Sequence, residues 1–595
     1  MKPEFTINVR MNACKAVQRK ERSDSRHEAA KDPVFAALYD DGCLIVKATE
    51  RPAKDHGGKV YCHVFEQQNR IEEVVDDPEA VTGISFEAPF TLPWTCEHYF
   101  EKFENVETIT GWENVDSFYV QSMSHMFIGC NCLKSLDLST LDTSFVEDMD
   151  AMFLACYDLE DLRLGSIDTS NVRNMSHMFW SCSSLETVDI SGLDTSSVTD
   201  MSAMFESTNF KALDLSAMDT SSVEDMSYMF VGCDKLESLN LEGWDTSKVR
   251  DMSGMFEKCE SLADLDVSGF NTSSLENAYR MFWGCKALKT IDVSSFDTSR
   301  IPNMESMFEA CEELESLDLS VFDTSSVKTM AWMFNCCGLK ELDLSSFDTS
   351  NVQNMRYMFN SCIYLTSLNV SSFDTSNVVD MMGMFRQCES LTQIDVSRFN
   401  TSKVMRMKEM FDGCSALTSL DLRSFDTSSV QDFEDMFAYC SSLSSLDLSN
   451  FDTSKAFSMQ GMFWDCNKLE YIFGLQSFDT NNVISFGGMF AYCESLKAID
   501  LLSFKTSKAD FLSGMFLDCK SIETLDLSSF DTARVAVFRE MFKDCTSLTS
   551  LDISGFSCAD GEIDTDEMFA GCTSLTDLQA PEWIMTFASK QAQAE

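Results

Sequence analysis

Apolar and polar positions along most of this chain recur with a period of about 26 residues. In the repeat that starts at Met307, Leu317 and Leu319 alternate with polar residues, and this alternation predicts a β-strand. Apolar residues around the sequence MFxxC are spaced three or four apart, which predicts a short helical turn. The segment Ser-x-Val-x-x-Met predicts a second short strand. The other apolar positions of this repeat are Phe308, Cys311, Leu314, Phe322, Val327 and Met330.

The dipeptide Met-Phe marks the start of each repeat and occurs 18 times. Most neighbouring copies are 26 residues apart, and a few are 25 or 27 residues apart. A less regular unit starts at Tyr99, so we expect about 19 coils. A repeat of this length is typical of a solenoid, because a single unit cannot bury its apolar face and stacked neighbours can. The regular repeats start at Met126, Met152, Met178, Met204, Met229, Met255, Met281, Met307, Met333, Met358, Met384, Met410, Met436, Met462, Met489, Met515, Met541 and Met568.

The tripeptide Asp-Thr-Ser predicts the turn that follows the main strand. Its first position holds Asp in 13 of 17 repeats, and Asn271, Asn400 and Ser557 fill three of the others. All these side chains can accept a hydrogen bond from the backbone N–H two residues later. We therefore expect a structural role for this position. Members of this turn row are Asp297, Asp323, Asp348 and Asp374.

Non-repeated segments flank the repeats. Residues 1–32 are polar and charged and predict an exposed helix. Residues 33–93 contain short apolar runs broken by Gly and Pro, which predict strands. We expect this segment to cap the first coil, with a separate binding domain as the alternative. The solenoid should cover residues 94–578, and residues 579–595 should form a C-terminal cap and tail, in which Trp583, Ile584 and Phe587 cover the last coil.

The repeat pattern MFxxCxxLxxLDLSxFDTSxVxxM resembles the bacterial surface protein 26-residue repeat, which is allied to BspA-like leucine-rich-repeat surface proteins. The resemblance covers about residues 94–578. It implies a right-handed solenoid of the leucine-rich-repeat type with one main parallel strand in each coil. It also implies a location on the bacterial surface, a role in adhesion or protein binding, and no enzyme activity.

The charge of the chain narrows the range of partners. The net charge is −51, from 96 acidic and 45 basic residues, which argues against a nucleic acid or an anionic membrane as the main partner. No run of 18 apolar residues predicts a membrane span. The sequence starts without the apolar region of an export signal and ends without an apolar anchor. The alternatives for location are the cell surface or secretion, as the resemblance implies, and the cytoplasm.

The cysteines follow the repeat rather than a metal-binding motif. Seventeen of 18 repeats place Cys four residues after the Met, and Thr208 is the exception. A metal site needs several ligands that converge on one point, and one cysteine per coil does not supply them. We expect buried, reduced, structural thiols, no metal and no cofactor. No catalytic motif is visible, and no enzyme activity is expected. The clearest members of this row are Cys259, Cys285, Cys311, Cys337 and Cys362.

A second acidic row is the main candidate for function. The Asp of the strand sequence LDLS points away from the predicted core and occurs in 13 of 17 repeats. It could be a solvated face, a docking face for a partner or a row of Ca²⁺ ligands. We interpret the chain as a monomeric, non-catalytic, adhesin-like binding protein for a protein or glycan, and the partner's surface could be basic or rich in hydroxyl groups. The alternative is an intracellular structural scaffold. The candidate binding residues, which we call the strand row, are Asp266, Asp292, Asp318, Asp343, Asp395, Asp421 and Asp447.

Overall fold

The computed structural model describes residues 34–47, 61–65, 71, 75, 77–165, 167–557 and 563–585. The helix predicted in residues 1–32 and the capping residue Phe587 lie outside the described residues. The chain is a β-solenoid of about 19 coils with very little helix, as the repeat predicted. It divides into two compact units, Met1–Val223 and Glu224–Glu595.

Among the described residues, the first unit contains ten strands and two complete 3₁₀ helices. The 3₁₀ helices are Pro78–Ala80 and Trp112–Asn114. The strands are β1 (Val34–Leu38), β2 (Cys43–Lys47), β3 (Tyr61–Phe65), β4 (Gly83–Phe86), β5 (Phe90–Thr91), β6 (Thr108–Thr110), β7 (Val115–Asp116), β8 (Ser135–Asp137), β9 (Asp161–Arg163) and β10 (Ala212–Asp214).

The N-terminal strands join the sheet of the first coils. Strand β1 pairs antiparallel with β2 and with β3, whereas β2 pairs parallel with β4. The same parallel ladder continues from β4 to β6, β8 and β9. Because β2 covers an edge that would otherwise be open, we propose that residues 33–93 cap the first coil.

In the described part of the second unit there are eight strands, each three residues long. They are β11 (Ser238–Asn240), β12 (Glu341–Asp343), β13 (Ser367–Asn369), β14 (Ser445–Asp447), β15 (Tyr471–Phe473), β16 (Thr524–Asp526), β17 (Ser550–Asp552) and β18 (Asp577–Gln579). A 3₁₀ helix covers Leu475–Ser477, and residues 582–585 form one helical turn. Neighbouring strands pair parallel and in register, so that Leu342 lies beside Leu368 and Asp526 beside Asp552. Equivalent side chains of successive coils therefore form rows.

The second predicted strand is reduced to a single bridge residue in each coil. This residue lies just before the Met of Ser-x-Val-x-x-Met, and it pairs with its equivalent in the next coil in parallel orientation. In the second unit, for example, the bridges join Asn354 to Asp380, Asp380 to Arg406, and Arg406 to Asp432. The segment thus forms a ladder between coils without becoming a strand within any coil.

The MFxxC segment is a series of β-turns rather than the predicted helical turn. The N–H of Met307 donates to Met304 O, and the N–H of Glu309 donates to Ser306 O. The N–H groups between these point to the next coil, and that of Phe308 donates to Met333 O at 3.0 Å. Ser306 and Ala310 both have a φ of 57°, a left-handed conformation that no α-helix contains. Hydrogen bonds to the neighbouring coil replace those that a helix would make within its own turn.

The core consists of the Met, Phe, Cys and Leu positions of the repeat. Phe308 is completely buried, and its ring stacks between those of Phe282 and Phe334 at centroid distances of 5.5 and 6.0 Å. Leu314 and Leu319 are also buried. Leu317, which the alternating pattern places in the core, is only half-buried. In the second unit, the Phe rings stack from coil to coil between Phe230 and Phe542 and form one continuous row in the core.

Candidate functional site

The strand row lies on the surface and closes a local turn. All seven of its carboxylates are exposed. Asp266 accepts a hydrogen bond from the N–H of Ser268 at 3.0 Å, and Asp318 accepts one from the N–H of Ser320 at 2.9 Å. Asp292, Asp343, Asp395, Asp421 and Asp447 each accept the equivalent backbone bond from the residue two positions later. The fold therefore uses these side chains, which the sequence pattern alone did not indicate.

The same hydrogen bonds favour the charged form of the strand row. Bonds from the hydroxyl and N–H of Ser268 lower the pKa of Asp266. The Arg423 side chain, followed by its N–H, lowers the pKa of Asp421 to about 2. The serine two residues later lowers the pKa of five further members through its hydroxyl and backbone N–H hydrogen bonds. These members are Asp292, Asp318, Asp343, Asp395 and Asp447. The row is consequently a line of fixed negative charges at neutral pH.

The turn row makes the same kind of bond one segment further along the coil. The carboxylates of Asp297, Asp323, Asp348 and Asp374 are exposed, and each accepts the N–H of the serine two residues later. Bonds from the hydroxyl and N–H of Ser325 lower the pKa of Asp323. Asn can replace Asp in this bond: Asn271 accepts the N–H of Ser273 in the turn row, and Asn369 accepts that of Ser371 in the strand row.

The Thr of Asp-Thr-Ser connects one coil to the next, a role that sequence reasoning missed. Thr401 is fully buried, and its hydroxyl donates to Asp426 O at 2.8 Å. The same hydroxyl accepts the N–H of Asp426 at 2.8 Å. Equivalent bonds join Thr375 to Asn400 in the coil before. The near-invariance of Thr across the repeats is the signal that could have pointed to this role.

The structural cysteines are buried free thiols. Cys259, Cys285, Cys311, Cys337 and Cys362 are all buried and unbridged. The thiol of Cys285 donates to Phe256 O of the preceding coil at 3.2 Å. Burial raises the pKa of Cys285 to about 12. Within the described part of the chain, no group of three or more His, Cys, Asp or Glu residues is arranged to hold a metal ion.

Several buried and half-buried carboxylates of the second unit cluster around Arg386. Arg386 lies between Asp412 and Glu409, with Nε–carboxylate distances of 2.9 and 3.2 Å. Asp435 lies close enough to these carboxylates to be influenced by them. Burial and then the charges of Glu434, Asp412 and Glu409 raise the pKa of Asp435 to about 6. Within this group, Asp435 is therefore the carboxyl whose pKa is raised toward neutral pH.

Two histidines of the first unit lie beside one carboxylate. His125 and His177 occupy the same repeat position two coils apart, and Asp150 lies between them. Nδ1 of His177 is 3.2 Å from Asp150 Oδ1, and Nδ1 of His125 is 3.7 Å from Asp150 Oδ2. The hydrogen bond to Asp150 raises the pKa of His177. Although the cluster contains two histidines and one carboxylate, the described residues include no group of three such side chains arranged to hold a metal ion.

These rows and coils define the class of protein: a leucine-rich-repeat-like β-solenoid whose surface consists of repeated side chains. The family described as "Mycoplasma protein of unknown function, DUF285" matches residues 95–212, 182–292, 206–316, 284–394, 364–474 and 472–583. The chain belongs to this family. No curated protein sequence is significantly similar to it. No helix within the described residues has the length and apolar character to cross a membrane.

Solved structures of leucine-rich-repeat proteins are similar over much of the chain. A leucine-rich cell surface protein from Faecalibacterium prausnitzii is 13% identical, with 93% of this chain and 95% of that chain covered and a TM-score of 0.21. A leucine-rich repeat protein from Bacteroides ovatus is 15% identical, with 79% and 84% covered and a TM-score of 0.23. One from Eubacterium ventriosum is 14% identical, with 66% and 95% covered and a TM-score of 0.33.

Proposed function

We propose that this chain is a non-catalytic, adhesin-like binding protein that presents the strand row to a partner with a basic surface, either a protein or a glycan. The observation that supports the proposal is the row of exposed carboxylates, whose pKa values are lowered and whose spacing is fixed by the coils. Stacking places members of adjacent coils roughly 4.8 Å apart, and Asn369 separates Asp343 from Asp395. Their mutual repulsion is relieved when positive charges arrive. The resemblance to the bacterial surface protein 26-residue repeat is consistent with this role and with a location on the cell surface.

We further propose that the protein acts as a monomer with covered ends. Strand β2 extends the sheet of the first coils, and at the other end Ile584 is buried while Trp583 Nε1 donates to Phe556 O at 3.4 Å. These contacts support assigning residues 33–93 and 579–595 as caps of a solenoid that covers residues 94–578. Covered ends leave no free coil on which a second copy could stack. Sedimentation of the full chain should therefore show one species at micromolar concentration.

The binding test compares two variants that lose the same charge from different rows. The first variant carries Asp266→Asn, Asp292→Asn, Asp318→Asn and Asp343→Asn. The matched control carries four Asp→Asn changes in the turn row, at positions 297, 323, 348 and 374. Both should fold normally, because the chain itself uses Asn369 and Asn271 in the two turns.

The probe is a 16-residue peptide of alternating Lys and Ser, titrated calorimetrically at low and physiological salt. The strand-row variant should bind it about tenfold more weakly than the control variant, and the parent should lose affinity as salt is raised. Equal weakening in both variants would mean that only net charge matters, which contradicts a specific docking face. A melting temperature of the parent that falls on addition of a chelator would instead identify the strand row as a set of Ca²⁺ ligands.

A further inference from the structure

A second surface row in the second unit has the opposite chemical character. It occupies the position five residues before each Met-Phe dipeptide. In the middle coils, these residues are linked by backbone hydrogen bonds: Met405 N–H donates to Val379 O, Phe457 to Gln431 O and Ile484 to Phe457 O, all at 2.9 Å. The bonds hold the five residues in one line along the coils. We call this line the apolar stripe, and its members are Val379, Met405, Gln431, Phe457 and Ile484.

The apolar members of the stripe are exposed to an unusual degree. Val379, Met405, Phe457 and Ile484 expose between 39% and 44% of their surface. The stripe ends at Ile484, because the equivalent residue of the next coil is Asp510, whose N–H donates to Ile484 O and whose carboxylate pairs with Arg534 at 2.9 Å. The coil does not require apolar residues at this position. In the preceding coils of the same unit, the equivalent residues are Glu224, Arg250, Glu276, Pro302, Lys328 and Gln353. Exposed apolar side chains that group on one surface commonly mark an interaction site, and Gln431 interrupts the group here.

The position two residues before the stripe carries positive charge and no acid. Lys403 precedes Met405 and Lys455 precedes Phe457, with a buried residue between each pair, so both side chains project from the same side of the coil. Nζ of Lys403 donates to Asn377 Oδ1 at 2.6 Å, which fixes its place beside the stripe. The full series is Asn377, Lys403, Ser429, Lys455, Asn482, Lys508 and Arg534. This series contains four basic residues and no acidic one, whereas the whole chain has about twice as many acidic residues (96) as basic residues (45).

The opposite flank of the stripe is mixed in charge. It consists of the bridge residues, where Asp380 and Asp432 are half-buried and Arg406 is exposed. A guanidinium nitrogen of Arg406 lies 3.0 Å from an Asp380 carboxylate oxygen, so this acid is already paired. Lys403 and Lys455 supply positive charge on the other side of the apolar side chains.

We propose that the apolar stripe and its flanking lysines form a docking surface for an acidic protein segment that carries apolar side chains. Carboxylates of the segment would pair with Lys403, Lys455 and Lys508, while its apolar side chains would cover Phe457 and Ile484. Four coil steps from Val379 to Ile484 span roughly 19 Å, the length of a helix of about 13 residues. A second copy of this chain is disfavoured as the occupant, because two molecules of charge −51 repel each other.

The test selects peptides on the folded protein and compares two triple variants. A display library of random 16-residue peptides is selected on the parent chain. The stripe variant carries Met405→Ser, Phe457→Ser and Ile484→Ser. The matched control carries Val321→Ser, Tyr364→Ser and Leu502→Ser, which remove three apolar side chains of similar exposure from other positions of the same unit. A third variant carries Lys403→Gln and Lys455→Gln.

Selected peptides should combine Asp or Glu with apolar residues, and they should bind the stripe variant at least about tenfold more weakly than the parent. Affinity for the control should stay within about twofold of the parent, and the lysine variant should lose most of the salt dependence. Failure to select any peptide, selection of basic peptides, or equal binding to both triple variants would overturn the proposal. Self-association of the parent that the stripe variant abolishes would show that a second copy is the occupant, which also overturns it.

Discussion

The stacked row of Phe rings gives the sharpest test of how this solenoid is stabilised. Phe308 is completely buried, and its ring is nearly parallel to those of Phe282 and Phe334, with interplanar angles of 10° and 3°. The change Phe308→Ala removes the ring from between two neighbours that are held in place by their own coils. The cavity cannot collapse easily, because the backbone of Phe308 is bonded to Met333 O in the next coil.

The expected cost is large for a single side chain. Phe→Ala changes in well-packed cores cost about 3–5 kcal/mol, which includes the cavity that remains. Each aromatic pair contributes roughly 0.5–1.5 kcal/mol beyond its buried area, and this site has two such pairs. We therefore expect a local loss of about 4 kcal/mol for Phe308→Ala. Phe308→Leu keeps most of the apolar volume but loses both ring contacts, so about 1–3 kcal/mol is expected.

Native-state hydrogen exchange is the appropriate assay, because contacts in a solenoid are mainly between neighbouring coils and opening is local. A loss of 4 kcal/mol corresponds to roughly 10³-fold faster exchange of amides between Phe282 and Phe334. Amides around Phe516, many coils away, should be unchanged. Phe457→Ala is the matched control, since this ring is 44% exposed and its removal should have little effect. Unchanged exchange near Phe308, or the same acceleration at Phe516, would refute nearest-neighbour stabilisation by the Phe row.

Three further predictions concern single positions. Thr401→Val should cost about 1–3 kcal/mol in chemical denaturation, because both buried bonds to Asp426 are lost, whereas Thr401→Ser should retain most of the stability. The pKa of Asp435 is raised, so the folded state holds the proton of this carboxyl more tightly than the unfolded state does, and the stability of the protein falls as pH rises from about 4 to about 6. Asp435→Asn should therefore add about 1 kcal/mol to the free energy of unfolding at pH 7, after allowance for partial solvent exposure. The same variant should flatten the dependence of the melting temperature on pH. At pH 8, iodoacetamide should label half-buried Cys132 and Cys336 in the native protein and reach Cys285 only after denaturation, because burial raises the pKa of Cys285 to about 12.

The candidate site was partly predictable from the sequence. The strand row could be found because its Asp recurs at one position of the repeat and alternates with apolar residues. The sequence analysis assigned turn closure to the turn row alone. The strand row closes a turn in the same way, since Asp266 and Asp318 accept the N–H groups of Ser268 and Ser320 two residues later. The apolar stripe was missed because Val379 and Phe457 look unremarkable within their own repeats. Comparison of one position across all repeats would have revealed the change from charged to apolar residues.

The sequence by itself determined the period, the class of fold, the buried Phe and Cys positions and the Asp-Thr-Ser turn. These follow from local rules, since alternation and turn chemistry act within a few residues. Only the tertiary structure decided the conformation of MFxxC, the role of Thr401 and the partial exposure of Leu317. The physical reason is that the backbone bonds of Phe308 and the hydroxyl bonds of Thr401 join residues 25 positions apart in neighbouring coils. One repeat contains the donors and acceptors for such bonds, but stacking alone decides whether they are satisfied within the coil or by the next one.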